Sequence, residues 1–179
     1  MKILIINGNP KRNYPEFDLY LEQLKKIGNE KDIAVELLLL RDFNLHDCIG
    51  CYSCWLKTPG ICFYHDDQEL ILREFLASNV VILASPIIMG FVSALLKCFN
   101  DRLLPLGHPF LYLKEDKMAH IPRYTHYPKT VLLLDDPKQE ESNARTLIEE
   151  VYQRSSRELR KIFTTKNKIQ EIIDEITHY

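Results

Sequence analysis

The sequence predicts an α/β fold in which a parallel, doubly wound sheet lies between two layers of helix, a three-layer α/β/α sandwich in a single domain over residues 1–179. Three observations carry that expectation. Short apolar runs alternate with stretches of helical period, the pattern of repeated strand–helix units. The runs are too continuously apolar for a sheet with one wet face, so both faces are covered. With 179 residues, 46% hydrophobic and 27% charged, the chain has the size and composition of one globular domain able to bury a core.

The elements follow in order. Ile3–Ile6 is the first strand, broken by the turn cluster Asn7-Gly8-Asn9-Pro10. Phe17, Leu19, Tyr20, Leu21, Leu24 and Ile27 give an amphipathic helix that ends at Gly28-Asn29 with the chemistry of a C-cap. Ile33–Leu40 is the second strand. Residues 42–65 form a long cysteine-bearing connection without clear period, and connections of that length are functional or disordered. Asp66-Asp67 opens a helix where the macrodipole favours carboxylates, with Leu70, Ile71, Phe75 and Leu76 on its apolar face. Asn79–Ala84 is the third strand, ended by Ser85-Pro86. Phe91–Leu104 reads as a helix whose Ala94, Leu95, Cys98 and Phe99 form a buried stripe.

The excursion 105–129 is irregular, with Pro105, Pro109, Pro122 and Pro128 as breakers, and Phe110–Ile121 suits a small hairpin around Lys114-Glu115-Asp116-Lys117. Thr130–Leu134 is the fourth strand, stopped by Asp135-Asp136-Pro137. Helices from about Glu140 to Ile162 and from about Lys168 to Thr177 complete the chain, with a further strand candidate near Lys161–Thr165.

Composition narrows the function. Lys and Arg number 23 against 25 Asp and Glu, a net charge of −2 that gives no general attraction to nucleic acid or an anionic membrane. Mean hydropathy is −0.19, and no apolar run nears the ~20 residues needed to span a bilayer. The opening Met1-Lys2-Ile3-Leu4-Ile5-Ile6-Asn7 is too short for a secretory core and lacks a small-residue cleavage site, so the cytoplasm is expected. Of five cysteines, four fall within residues 48–62, and an odd total in a reducing compartment argues against a disulfide scaffold.

Two loops suit a ligand at the carboxyl ends of the strands, where doubly wound sheets bind nucleotides. Gly8-Asn9-Pro10-Lys11-Arg12-Asn13 runs from a strand into a helix, so free backbone N–H groups, the helix dipole and two cations converge as a phosphate would require. It matches neither the dinucleotide G-x-G-x-x-G nor the P-loop pattern, and a polar turn that binds nothing explains most of the same residues. Ala84-Ser85-Pro86-Ile87-Ile88-Met89-Gly90 offers backbone polar groups beside flat apolar surface, which suits a planar heteroaromatic ring. Its plain alternative is a loop packed on the following helix, with Met89 filling a gap.

Cys48-x2-Cys51-x2-Cys54-x7-Cys62 places four soft ligands on one compact loop, a donor set for zinc or an iron-sulfur cluster. The spacing is not that of two separated C-x2-C knuckles. Packing of Cys54-Trp55 and Cys62-Phe63 as small hydrophobes, or a thiol redox pair, are the alternatives. His46 and His65 bracket this loop, while His108, His120 and His126 lie in the irregular stretch with Arg123 and Tyr124; surface positions are expected for all five, the alternatives being that the first two tune the cysteine loop and the last three touch a substrate or partner. No Ser/His/Asp arrangement, paired-carboxylate motif or H-E-x-x-H supports hydrolysis.

Taken together, Asn-Gly-Asn-Pro-Lys-Arg after the first strand, Cys-Ile-Gly-Cys-Tyr-Ser-Cys-Trp…Cys…Asp-Asp in the middle and Ala-Ser-Pro-Ile…Ser-Ala-Leu-Leu-Lys…Asn-Asp-Arg after the third strand resemble the NAD(P)H-dependent FMN reductase family. Within it, the branch of similar appearance is the iron-sulfur flavoproteins. The resemblance runs from residue 2 to about residue 134, through the His-Pro-Phe…Pro-Arg-Tyr…Tyr-Pro-Lys stretch at 108–129, and fades in the last forty or so residues. It implies a flavodoxin-like fold, FMN bound without a covalent link, NAD(P)H as co-substrate and a small-molecule or protein electron acceptor. Asn9, Lys11, Arg12 and Asn13, with Tyr14 beside them, match the family's phosphate loop; Pro86, Ile87, Ile88, Met89 and Gly90 match its isoalloxazine loop. Ser93, Lys97, Asp101 and Arg102 belong to the same signature, and the spacing of Ser93, Lys97 and Asp101 puts them on one helix face, which an ordinary salt-bridged surface also explains.

Cys48, Cys51, Cys54 and Cys62 would carry a 4Fe-4S cluster that exchanges electrons with FMN. A homo-oligomer is implied too, with 105–129 as the candidate contact surface. The chain departs from the family's pattern in two places. No hydroxyl precedes Tyr14 and Pro15 stands where Thr is usual; and Asp135-Asp136-Pro137-Lys138 replaces glycines at the third loop, bringing carboxylates that a phosphate or reduced flavin would repel unless they turn to solvent. An iron-sulfur electron-transfer partner and a flavin-free flavodoxin-like interaction module are the other functions these residues allow.

Overall fold

A computed structural model describes residues 1–114, 117–135, 142–155 and 159–179. Strands β1 (Lys2–Asn7), β2 (Ala34–Leu39) and β3 (Val80–Ile88) alternate with helix α1 (Pro15–Glu30), the four-residue α2 (Ser53–Leu56) and α3 (Gln68–Leu76). A two-residue strand β4 (Phe91–Val92) leads into α4 (Ala94–Asp101). Then come the hairpin β5 (Gly107–Lys114) and β6 (Lys117–Pro122), strand β7 (Lys129–Asp135), α5 (Ser142–Ser155), β8 (Leu159–Thr164) and α6 (Ile169–Ile176).

The main strands pair in parallel in the order β2-β1-β3-β7-β8. Counted along the chain that is 2-1-3-4-5, the flavodoxin-like order, with the reversal of winding between β1 and β3. Alternation along each strand splits the core into two faces. Leu4, Ile6, Val81, Leu83, Leu132 and Leu134 pack on α3, α4 and α5 through Ile71, Phe75, Leu96, Phe99, Ile148 and Tyr152. Ile3, Ile5, Val80, Ile82, Val131 and Leu133 pack on α1 and α6 through Phe17, Leu21, Leu24, Ile172, Ile173 and Ile176. The expected three-layer, doubly wound sandwich is therefore the fold.

Several expectations need correction. The third strand does not end at Ser85-Pro86 but runs on to Ile88, where Ile87 and Ile88 pair antiparallel with Val92 and Phe91. Ala84 turns its carbonyl toward β1, accepting from Gly8 N at 2.8 Å, so Pro86, two residues on, faces that same side. The ladder with β1 ends at Asn7↔Ala84, so the missing N–H of Pro86 breaks no bond. The helix expected over Phe91–Leu104 starts three residues later, because Phe91 and Val92 are taken by this hairpin and Ser93 caps α4 through its hydroxyl, which accepts from Leu96 N. Its buried residues are Leu96 and Phe99; Ala94 is exposed, and Leu95 and Cys98 are half-buried, so Cys98 is not core.

The long terminal helix is interrupted. α5 covers Ser142–Ser155 and the strand candidate near Lys161–Thr165 is β8, in which Ile162 and Phe163 pair with Leu132 and Leu133 of β7. Partner strands override helical period for such residues. The expected Glu140 helix start, Asp136-Pro137-Lys138 and the Glu115-Asp116 turn lie outside the described residues. The hairpin β5–β6 stands apart as its own two-stranded sheet. Phe110, Leu111, Leu113 and Met118 are exposed on it, on both of its faces. Among the described residues, no helix is long and apolar enough to cross a membrane.

Candidate functional site

Beyond β1 the chain turns on buried polar groups. Asn7 closes the strand, accepts from Asn9 N through Oδ1 at 2.8 Å and donates from Nδ2 to Asp18 at 2.7 Å. Asn9, fully buried, accepts from Lys11 N at 3.0 Å and donates to the Tyr14 carbonyl and to Asp18. These are Asx-type bonds that hold a turn without regular ladder partners. Arg41, which the sequence analysis did not single out, donates to the Asn9 carbonyl at 3.1 Å and to Asp18 at 2.8 Å. Burial works to raise the Asp18 carboxyl, but the bonds from Arg41, Asn7 and Asn9 outweigh it and hold it below the usual carboxylate range. No local pattern marks Arg41, since its partners lie far back in the sequence.

Asn9 is thus an internal brace, whereas Lys11, Arg12 and Asn13 are exposed around the start of α1. Arg12 pairs with Asp42 at 2.5 Å, also at the surface. No side chain caps the first turn of α1, and Pro15 stands within it, so the remaining N–H groups there face outward. Tyr14 donates its hydroxyl to Asp135 at 2.5 Å, and Thr165 donates to the other oxygen of the same carboxylate at 2.5 Å. Burial, and then Asp135, push the Tyr14 hydroxyl well above its ordinary range. Asp135 is therefore neither turned to solvent nor left bare: two hydroxyls cover it, and it is buried.

The second loop is a tight hairpin rather than an open loop. Met89 and Gly90 are its two central residues, both with positive φ, at 52° and 75°, as a two-residue turn of this hand requires. Met89 is 96% exposed. A non-glycine residue held left-handed and bare to water is an outlier of the kind that clusters at ligand sites. Ser93 joins the two loops: its N–H donates to the Ser85 hydroxyl at 2.8 Å, and its own hydroxyl donates to the Gly8 carbonyl at 2.5 Å. Gly8 is needed here, because a Cβ would stand 2.6 Å from Leu96 Cβ. Lys97 and Asp101 pair with each other at the surface, the salt-bridged arrangement their spacing allows.

The cysteine loop is fixed by long-range contacts. Arg102 and Asp66, each with its side chain 1% exposed, form a bidentate pair at 2.5 and 2.9 Å. Arg102 also donates to the His46 carbonyl at 3.1 Å and to the Cys62 sulfur at 3.3 Å. Burial would raise the Asp66 carboxyl, but Arg102 and His46 outweigh it and carry it far below the ordinary range. His46 is more than a solvated loop residue: it stacks on Tyr64 at 4.5 Å and contacts Asp66 at 3.0 Å. Trp55 donates to the Leu104 carbonyl at 2.9 Å and packs against His120 of β6 at 4.8 Å, tying α2 to the hairpin.

Burial, followed by Cys62, Cys51 and Cys48, pushes the Cys54 thiol up. Hydrogen bonds from Ser53 pull the exposed Cys51 thiol down. Cys98 is set apart by burial and then by Asp47, which push it up to about 11. Among the described residues, no three His, Cys, Asp or Glu already stand together as metal ligands. The donor chemistry, four free thiols on one loop, nonetheless fits a thiolate-bound centre, since binding closes such loops.

A cavity of about 630 Å³ adjoins this loop, lined among others by Cys48, Gly50, Trp55, Lys97, Asn100 and His120. It includes no residue of the 8–14 or 86–90 loops.

The sequence pattern of the NADPH-dependent FMN reductase family matches residues 1–118. An iron-sulfur flavoprotein of Methanocaldococcus jannaschii is 39% identical over 106 residues, 59% of this chain and 53% of that protein. The chain spans about half the length of the curated relatives it matches. Among solved structures, the NAD(P)H:quinone oxidoreductase of Methanothermobacter marburgensis aligns with a TM-score of 0.66 at 14% identity, over 99% of this chain and 93% of that one. An FMN-dependent NADH-azoreductase of Bacillus anthracis, in complex with FMN, gives 0.59 at 13% identity, over 99% and 98%. Identities this low speak for the fold alone.

Proposed function

Because the chain belongs to the NADPH-dependent FMN reductase family, we propose that it is a flavin-dependent oxidoreductase that binds FMN across the switch point between β1 and β3. One observation carries the reading. The uncapped start of α1 and the left-handed Met89-Gly90 turn stand at the same carboxyl-terminal sheet edge, joined through Gly8 and Ser93. Lys11, Arg12, Asn13 and the first N–H groups of α1 would hold the phosphate, on a turn shaped by Asn9 and flanked by Tyr14. Pro86, Ile87, Ile88, Met89 and Gly90 would line the ring, with backbone groups for its polar edge. Tyr14 and Thr165 hold the Asp135 carboxylate in place through both of its oxygens.

When bound, the flavin supplies hydride acceptance and electron transfer, so this chain's residues position it and shape its electrostatics rather than act as general bases. NAD(P)H is the donor in this reading, and a small molecule or protein the acceptor. Cys48, Cys51, Cys54 and Cys62 would hold a 4Fe-4S cluster as a one-electron carrier, in keeping with the name of the Methanocaldococcus relative. The apolar, two-sided β5–β6 hairpin supports assembly with a second copy of the chain, since a lone two-stranded sheet with such faces is unstable in water. Free thiols in this number suit the cytoplasm.

The test is anaerobic purification, a visible spectrum, and iron and sulfide assays. A yellow protein with flavin bands near about 375 and 450 nm, or a colourless one whose Tm rises on adding FMN, supports the reading. Lys11→Ala should then weaken FMN binding by roughly 10–100-fold, the worth of one charge-assisted phosphate contact. A colourless preparation whose Tm ignores FMN overturns it.

A further inference from the structure

The guanidinium of Arg102 reaches a cysteine of the loop from the helical layer. It approaches Cys62 from α4's C-cap, 40 residues on in sequence, with Nη2 at 3.3 Å from the sulfur. Its side chain is 1% exposed, and so is that of Asp66, so neither can swing away into water. A purely structural pin would need only Asp66 and the His46 carbonyl, both of which Arg102 already reaches. Yet its Nε is buried without a hydrogen-bond partner among the described residues, while an Nη N–H is spent on a sulfur. Burying a guanidinium is costly, and apolar residues of similar volume commonly serve as well when packing is the sole need. The chosen orientation gives up satisfaction at Nε and directs positive charge at Cys62.

We propose that Arg102 is a positioning residue that tunes the reduction potential of the iron-sulfur centre held by Cys48, Cys51, Cys54 and Cys62, through its hydrogen bond to the Cys62 sulfur. The inference rests on the cluster reading given above. An N–H donated to a ligating sulfur draws electron density from it and favours the more negative, reduced state, which raises the potential. Asp66, bound to the same guanidinium, opposes that effect with its own charge. The pair therefore works as a balance: removing the cation and removing the anion must move the potential in opposite directions. Loosening of the loop has no such antisymmetry.

The experiment uses the full chain, purified anaerobically, with iron and acid-labile sulfide measured first. Redox titration followed by electron paramagnetic resonance then compares the unmodified protein with Arg102→Gln and Asp66→Asn, the second of which keeps the size and shape of the carboxylate. Arg102→Gln should lower the reduced-to-oxidised ratio at a fixed potential by about tenfold, a shift of about 59 mV toward negative values for a one-electron couple. Asp66→Asn should shift it the other way. Midpoints that stay where they are, or that move in the same direction in both variants, overturn the role of Arg102 while leaving the cluster in place. If Arg102→Gln does not load iron, Asp66→Asn decides alone: a positive shift supports the proposal and an unmoved or negative one overturns it. Unmodified protein without iron or sulfide overturns the cluster reading itself, and this inference with it.

Discussion

The two loops that carry the candidate chemistry are stabilised in opposite ways. The turn after β1 is shaped largely by its own residues: Asn9 bonds partners two, five and nine residues away, and longer reaches join Arg41 to Asn9, Ser93 to Gly8 and Tyr14 to Asp135. The cysteine loop has local bonds around α2, from Tyr52 to Ile61, but its placement on the fold is long-range. It is held by Arg102 from 36, 40 and 56 residues away, and by Trp55 on Leu104 from 49. A short loop needs few constraints, since its closure entropy is small and Asx bonds suffice. A long connection must be pinned by groups the rest of the fold already holds. A phosphate loop of this kind can therefore stay formed without its ligand, while the placement of the cysteine loop depends on the buried Arg102–Asp66 pair and the Trp55 anchor.

Breaking that pair should have the largest effect. Asp66→Ala leaves the Arg102 charge buried and unpaired, at a cost of about 3–5 kcal/mol read from urea unfolding. Labelling of Cys54 and Cys62 by a thiol reagent should accelerate, because the loop they sit on is released. The pH dependence has a definite sign. Asp66 has a folded pKa below its unfolded one, so its stabilisation is present above the ordinary carboxylate range and is lost as pH falls below it. Asp18 adds to the same slope. Stability of the unmodified protein should thus fall between about pH 5 and pH 3 more steeply than that of Asp66→Asn. Equal slopes would show that the pin is not electrostatic.

The same contrast explains what could be read from the sequence. Core strands such as Ile3–Ile6 and Thr130–Leu134 announce themselves, because burial on both faces leaves an unbroken apolar run. The turn at 8–14 was legible in outline because the bonds of Asn7 and Asn9 that shape it are local. Its internal division of labour was not: nothing in the string says that Asn9 faces inward while Lys11 and Asn13 face water. Ser85-Pro86 looked like an end because a proline lacks the ladder donor, and only the neighbouring strand shows that no donor is needed there. Asp66 and Arg102 were visible as residues of a motif but not as a pair. Pairing across 36 residues is a property of the packed helices, as is the contact with Cys62.

An intermediate effect should come from the joint between the β1 turn and α4. Gly8→Ala places a Cβ 2.6 Å from Leu96 Cβ and 3.1 Å from the Ser93 hydroxyl, on backbone that cannot yield easily. Overpacking of this kind costs about 1–3 kcal/mol, a fall in Tm of about 2–12 °C for a chain of this size. The comparison is sharpened by a second readout: thiol labelling of Cys54 and Cys62 should stay at its original rate, because the strain is relieved at the sheet edge and not in the cysteine loop. Faster labelling would mean that the two loops are coupled and that the division drawn between them is wrong.

The smallest effect is expected at Met89, and its sign is the useful part. The left-handed conformation costs an ordinary residue about 1–2 kcal/mol, whereas glycine pays only about 0.5–1 kcal/mol of extra chain entropy. With its side chain 96% exposed, Met89 gives up almost no packing when removed. Met89→Gly should therefore raise Tm, by about 1–4 °C. A sequence optimised for stability alone would have glycine here, beside the Gly90 it already has. If the substitution stabilises the protein but weakens FMN binding, the strain is retained for the side chain's contact with the ligand. If it stabilises the protein and leaves FMN binding unchanged, the methionine has no part in the site, and Pro86, Ile87 and Ile88 alone line that edge of it.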